Sequence, residues 1–124
     1  EAEGLAGRPL PRREDSAAFA QDLVAGGIAR CVIIARGAEG SVLADATGML
    51  FAPAPAVQVV SAVGAGDTFV AALVLAAARG AGRAEMLAHA VAAAAAACMT
   101  PATDLCRAED ATRLMASVQP VVLT

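Results

Sequence analysis

The sequence predicts an α/β fold, one part of a larger parallel-sheet domain. Three observations predict it. A stretch with helical spacing, Glu14–Ala25, is followed by a glycine pair and then by the β-branched run Cys31-Val32-Ile33-Ile34-Ala35. That order is the second half of a βαβ unit, and an uninterrupted apolar strand is the type that parallel sheets bury on both faces. Further on, a strand-like segment enters the glycine turn Gly64-Ala65-Gly66-Asp67, which opens directly into a long apolar run. Lastly, the element order leaves a parallel sheet without its first strands. The chain is therefore expected to be the C-terminal part of something longer.

Each element has a local cause. The opening, Glu1–Leu10, mixes charged and apolar residues and ends in Arg8-Pro9-Leu10. Within Glu14–Ala25, Phe19, Leu23 and Val24 share one face, and Gly26-Gly27 stop the helix as C-termini prefer. Gly37–Gly40 is a tight glycine turn. Ser41–Ala44 and Met49–Ala52 flank Asp45–Gly48 and predict a hairpin, which Pro53 and Pro55 close. Val57–Val60 is predicted as a further short strand. Thr68–Arg79 predicts a helix, stopped by Gly80 and Gly82. Arg83–Met99 predicts a second, in which Ala92–Ala97 forms the narrow face of a closely packed helix; Thr100-Pro101 break it. Arg107–Val118 predicts a third, amphipathic through Leu114 and Val118, with Glu109 and Asp110 in its first turn.

Composition narrows the function classes. The 124 residues carry a net charge of −3, and 58% are hydrophobic. That suits one modest folded domain and excludes intrinsic disorder. Aromatics are only 2%, so the core must be built from Ala, Val and Leu. All nine positive charges are arginines, and the pI is near 5.0, a poor basis for binding nucleic acid. The charge-free stretch Met86–Thr103 is mostly alanine and holds His89 and Pro101, which argues against a membrane span. Cys31, Cys98 and Cys106 form no C-x-x-C. They read as small buried residues with reduced thiols, in a cytoplasmic protein. His89 has no metal-ligand spacing around it and reads as a packed or capping residue.

Chemistry concentrates at Val59–Phe69. The first amides of a helix lack internal partners and point outward, and the helix dipole adds positive potential there. A strand–glycine turn–helix is therefore an anion site, most often for phosphate. Without a lysine it is not a Walker A loop. Asp67 has two readings. It is a favoured residue type for a helix N-cap. Alternatively, it is the base that phosphoryl transfer to an alcohol requires beside its anion donors.

Ser61-Ala62-Val63-Gly64-Ala65-Gly66-Asp67-Thr68-Phe69 resembles the C-terminal signature of the PfkB (ribokinase-like) family of sugar kinases. Ala35–Ser41 followed by Ala52-Pro53 is similar to the family's nucleotide-side strand, turn and hairpin. Met99–Cys106 is similar to a stretch of its phosphofructokinase branch, and Leu5–Leu10 fits the segment after its N-x-x-E motif, with Glu1 as that glutamate. The resemblance covers nearly the whole chain. It implies the C-terminal portion of a ribokinase-like three-layer α/β/α sandwich, with residues 1–124 as the nucleotide-side part and the sugar-binding half and lid absent.

The resemblance also implies an activity: ATP-dependent phosphoryl transfer to a sugar or sugar-phosphate hydroxyl, with Mg²⁺. A phosphofructokinase or tagatose-phosphate kinase fits better than a ribokinase. Asp67 would be the catalytic base. Gly64 would make the turn, and the amides of Ala65, Gly66 and Asp67 would form the anion hole. Gly37, Gly40 and Thr103 would line the nucleotide, and Glu1 would reach magnesium through water. The full-length protein would be a homodimer. Three positions depart from the family pattern. Ala35 lacks a hydroxyl, Ala102 replaces a glycine, and Arg36 stands where an apolar residue is usual, as a phosphate contact or an exposed side chain. Glu39 reads as a solvated turn residue. The alternative function is a non-catalytic nucleotide-binding module, or a half-subunit that needs a partner chain.

Overall fold

Helix α2, Arg13–Ala25, starts where the sequence supplies a cap. The Asp15 carboxylate accepts the backbone N–H of Arg12 at 3.0 Å and the Arg12 guanidinium at 2.8 Å, which occupies an orphan donor of the first turn. At the other end the Gly26 amide donates to the Asp22 carbonyl at 2.8 Å, and Gly27 takes φ 75°, a conformation suited to glycine. The computed structural model describes all 124 residues. They form two units: Glu1–Phe51 with Val121–Thr124, and Ala52–Pro120.

The first unit holds α1 (Ala2–Ala6), α2, and strands β1 (Cys31–Ala35), β2 (Gly40–Asp45), β3 (Gly48–Pro53) and β4 (Val121–Leu123). The strands lie side by side in the order β1-β2-β3-β4. β1 pairs antiparallel with β2, Ile33 opposite Leu43. β2 and β3 form the predicted hairpin around Ala46-Thr47, where Asp45 Oδ1 accepts the Thr47 amide at 2.8 Å and its hydroxyl at 2.7 Å. That Asx arrangement is the usual chemistry of a tight turn. Ala17 of α2, Val42 of β2 and Phe51 of β3 form the core cluster, with Ile34, Met49 and Leu123 packed against it. The Arg13 guanidinium lies 4.7 Å from the Phe51 ring centroid, a cation–π contact.

The structure departs from the sequence reading at the strands and at the cysteines. The sheet is antiparallel at both β1–β2 and β3–β4. Within this chain β1 pairs on one side only and is half-buried at its three middle residues, whereas β2, which starts at the glycine that ends the turn, is buried almost throughout. β4, absent from the sequence reading, takes the place beside β3, with Phe51 opposite Val121. The cysteines, expected to be buried, are not: Cys31 is exposed and Cys98 and Cys106 are half-buried.

The second unit holds α3 (Ala65–Ala78), α4 (Arg83–Cys98) and α5 (Ala108–Met115). α4 packs against both other helices. Leu87, Ala88, Ala90–Ala93, Ala96 and Ala97 are all buried. Small side chains let the helix axes approach closely, as the alanine tract implied. α4 ends where the buried Thr100 hydroxyl donates to the Ala97 carbonyl at 3.0 Å. α5 is shorter than predicted, but Leu114 and Val118 are buried. α3 buries only Phe69 and Ala76 and leaves Val70 and Val74 more than half exposed.

Val57–Val60 is not a strand. Its only ties in this region are the amides of Val60 and Ser61, which both donate to the Cys98 carbonyl, at 2.7 and 3.2 Å. The valines have strand composition but no ladder partner, and the nearby prolines remove donors. His89 is neither packed nor capping: its side chain is 43% exposed, with Nε2 3.9 Å from Glu85. No helix is long and apolar enough to cross a membrane.

Candidate functional site

The glycine turn and the head of α3 form the candidate site. Gly64 occupies the N-cap with φ 83° and ψ −4°, a left-handed conformation costly for any side chain. Its carbonyl accepts the Thr68 amide at 2.9 Å, the first bond of the helix. Ala65, Gly66 and Asp67 are then the first three helical positions. The Ala65 amide bends back to the Ala62 carbonyl at 3.2 Å. The amides of Gly66 and Asp67 have no partner in the chain. Two open donors thus stand at the positive end of a 14-residue helix. The preceding turn is tightened by Ser61, whose Oγ accepts the Val63 amide at 3.2 Å.

Asp67 is not the N-cap. It sits at the third helical position, exposed, and its carboxylate caps no amide and pairs with no cation. The capping reading is thereby corrected: Gly64 holds that position, with no side-chain cap. A carboxylate left free beside two open amides can accept a proton from a hydroxyl that meets an anion held there.

Gly66 differs from Gly64. Its φ is ordinary, and a Cβ built there meets no heavy atom within 4 Å. The fold does not require glycine at this position. An anion approaching the backbone amides closely does.

The remaining predicted residues are distributed as follows. Thr103 lies in the same unit, on an exposed turn closed by the Asp104 amide donating to the Pro101 carbonyl at 2.9 Å. Gly37, Gly40 and Glu1 belong to the other unit. Gly37–Glu39 is a single 3₁₀ turn; Gly37 has φ 60° and Gly40 φ 130°. Both glycines are therefore demanded by the backbone alone. Glu1 is exposed, and its carbonyl accepts the Leu5 amide at the start of α1. No three His, Cys, Asp or Glu side chains converge as a ready-made metal cage.

Arg36 is neither an exposed side chain nor open to phosphate. It is 12% exposed. Its guanidinium donates to the Leu10 carbonyl at 2.9 Å, the Ser16 hydroxyl at 2.6 Å, the Pro11 carbonyl at 2.8 Å and the Glu39 carboxylate at 3.0 Å. Glu39 is the solvated turn residue expected, its side chain 47% exposed, and it also pairs with Arg36. No sequence pattern marks these acceptors, two of which are main-chain carbonyls.

Comparison with known proteins settles the family. The model of the pfkB family carbohydrate kinase matches residues 1–110. The chain belongs to the pfkB family of carbohydrate kinases. Among its pfkB relatives, the ATP-dependent 6-phosphofructokinase isozyme 2 of Escherichia coli is 34% identical over 94% of this chain and 38% of its own length. The 1-phosphofructokinase of Haemophilus influenzae is 45% identical over 74% of this chain and 29% of its own. The crystal structure of Escherichia coli phosphofructokinase-2 with substrates and products superposes with a TM-score of 0.87 at 33% identity, over 94% of this chain and 38% of that one. The α/β class and the kinase fold expected from sequence agree with this. The pfkB chain described here spans about two fifths or less of the length of these relatives.

Proposed function

We propose that the complete protein transfers the γ-phosphoryl group of ATP to a hydroxyl of a sugar phosphate, in the manner of a phosphofructokinase. The observation that carries this reading is the head of α3: two unpartnered amides, a glycine the fold does not need, and a carboxylate with no structural bond. The relatives described above, a 6-phosphofructokinase and a 1-phosphofructokinase, support it.

In this reading the Gly66 and Asp67 amides hold the oxygens of the group in transit. The bond from the γ-phosphorus to the β–γ bridging oxygen breaks, and a bond from the sugar oxygen to that phosphorus forms. The hydroxyl proton passes to the Asp67 carboxylate. The transition state is loose, so positioning and charge stabilisation do most of the work. The glycine turn Gly37–Gly40 and Thr103 line the nucleotide. Magnesium arrives on the nucleotide phosphates, as an ion that keeps much of its water shell and takes one or two carboxylates; Glu1 is the carboxylate we assign to its outer shell. A cytoplasmic setting is part of the same proposal, supported by cysteines too few and too scattered in sequence for a disulfide framework.

Asp67→Asn tests the reading. Loss of a general base costs about 10²–10⁴ in rate, so kcat falls by that factor while ATP affinity holds or tightens. Because Asp67 bonds nothing in the fold, the melting temperature stays put for both Asp67→Asn and Asp67→Ala. Full turnover in Asp67→Asn would refute the assignment.

A further inference from the structure

The turn Gly37–Glu39 has little of its own to hold it. None of its residues is buried. Its internal bonds are all main-chain: the Arg36 amide to the Gly40 carbonyl at 2.8 Å, the Gly40 amide to the Gly37 carbonyl, and the Glu39 amide to the Arg36 carbonyl at a long 3.3 Å. What anchors it is the Arg36 side chain. Nη1 reaches the Leu10 carbonyl and the Ser16 hydroxyl, Nη2 the Pro11 carbonyl, and Nε the Glu39 carboxylate. Ser16 is 1% exposed, so its hydroxyl has no solvent alternative. The planar guanidinium fork thus fixes three things at once: the entry to α2, the end of β1 and the turn.

A second consequence is electrostatic. Glu39 is the one carboxylate on the turn, and it is half exposed. Unpaired, it would repel a polyphosphate at that surface. Arg36 Nη2 lies 2.9 Å from Glu39 Oε2 and cancels that charge.

We propose that Arg36 is a positioning residue for nucleotide: it holds the glycine turn in its binding shape and neutralises Glu39, without touching the nucleotide. The inference rests on the reading that this turn lines ATP. It is tested in the complete protein by steady-state kinetics on three variants. Arg36→Met keeps the length and removes every donor. It raises the KM for ATP about tenfold, the scale on which small misplacements act, with kcat and the sugar-phosphate KM within about twofold. Arg36→Lys keeps the charge against Glu39 but not the fork, and recovers only part of that loss. Should Arg36→Met not fold, the Lys variant alone carries the test, with a smaller selective rise. Ala38→Trp puts bulk on the exposed turn itself and raises the ATP KM directly. An unchanged ATP KM in the Arg36 variants with a raised one in Ala38→Trp overturns the proposal and leaves the nucleotide reading standing. An unchanged ATP KM in Ala38→Trp removes that reading, and the proposal with it. A loss shared evenly among kcat and both KM values marks a purely structural arginine and also overturns it.

Discussion

Arg36 places its Nη1 2.6 Å from the hydroxyl of Ser16, twenty residues earlier in the chain. A short bond between a guanidinium and a fully buried hydroxyl is among the stronger single polar contacts available to a small domain. Removing the oxygen leaves Nη1 its bond to the Leu10 carbonyl, so the charge keeps a partner. Ser16→Ala is therefore expected to cost about 1–3 kcal/mol, read as a drop in the urea midpoint with an unchanged slope. No measurable shift would mean that water replaces the hydroxyl.

Gly64 and Gly66, two residues apart, respond in opposite ways. Gly64→Ala forces a side chain into φ 83° and loses about 1 kcal/mol or more. Gly66→Ala has room and an ordinary φ, so stability holds or rises by up to about 1 kcal/mol from better helix propensity. Gly66→Val is expected to fold too, yet to lose ATP affinity, because its branched side chain crowds the open amides. Thermal melts and calorimetric ATP titrations of the three variants check this. Equal ATP affinity for Gly66→Val and the parent would remove Gly66 from the phosphate site.

Glu14 and Asp15 are both held below the usual carboxylate range, chiefly by hydrogen bonds from Arg13 and Arg12 in turn, Asp15 the further. The Arg12 guanidinium, the Arg12 backbone amide and nearby charge hold the Asp15 carboxyl down at about 2, from an ordinary 3.8. A depressed carboxyl stabilises the fold above its unfolded value and loses that contribution as pH falls through the folded one. The stability from Asp15 is thus complete above about pH 4 and gone near pH 2. Asp15→Asn should melt lower than the parent at pH 7, and the two curves should converge on acidification through that window. A constant gap across the window would separate the effect from ionisation.

The 124-residue chain on its own is expected to self-associate. β1 is the edge of the sheet, and α3 carries Val70 and Val74 57% and 58% exposed. An unpaired edge and an exposed apolar helix face each template pairing between copies. Light scattering coupled to size exclusion should show oligomers, reduced by Val32→Lys. A single monomeric peak with a cooperative melt would contradict this.

Local signals carried most of what the sequence disclosed. α2 was legible from helical spacing and its closing glycines, the hairpin from Asp45–Gly48, and α4 from a run of alanines with a proline stop. β4 was not, because Val121–Leu123 becomes a strand only by meeting Met49–Phe51, and no local pattern encodes a partner so far away. The same physics misled at Val57–Val60, where β-branched residues find no ladder. At the site, the turn Gly64–Asp67 was legible because the need for glycine and the start of a helix are both local facts. The roles within it were less so: the N-cap fell to Gly64 rather than Asp67, which depends on backbone angles. Arg36 was opaque, since its acceptors are the carbonyls of Leu10 and Pro11 and the hydroxyl of Ser16.

The pairing of β3 with β4 also sets a folding order. Ala52–Pro120 is one uninterrupted segment of three helices, rich in short-range contacts and suited to fast assembly. The sheet is discontinuous, and its last strand pairs across about seventy residues, Phe51 with Val121. Bringing such ends together from an open coil costs about 0.6 kcal/mol more for each doubling of the intervening length. A prefolded helical segment shortens that search. On a ribosome adding about 5–20 residues each second, the helices have seconds to form before Val121–Leu123 emerge to pair with β3. Until then Phe51 and Met49 lack their strand partner, and this interval is when a chaperone would find the chain most receptive.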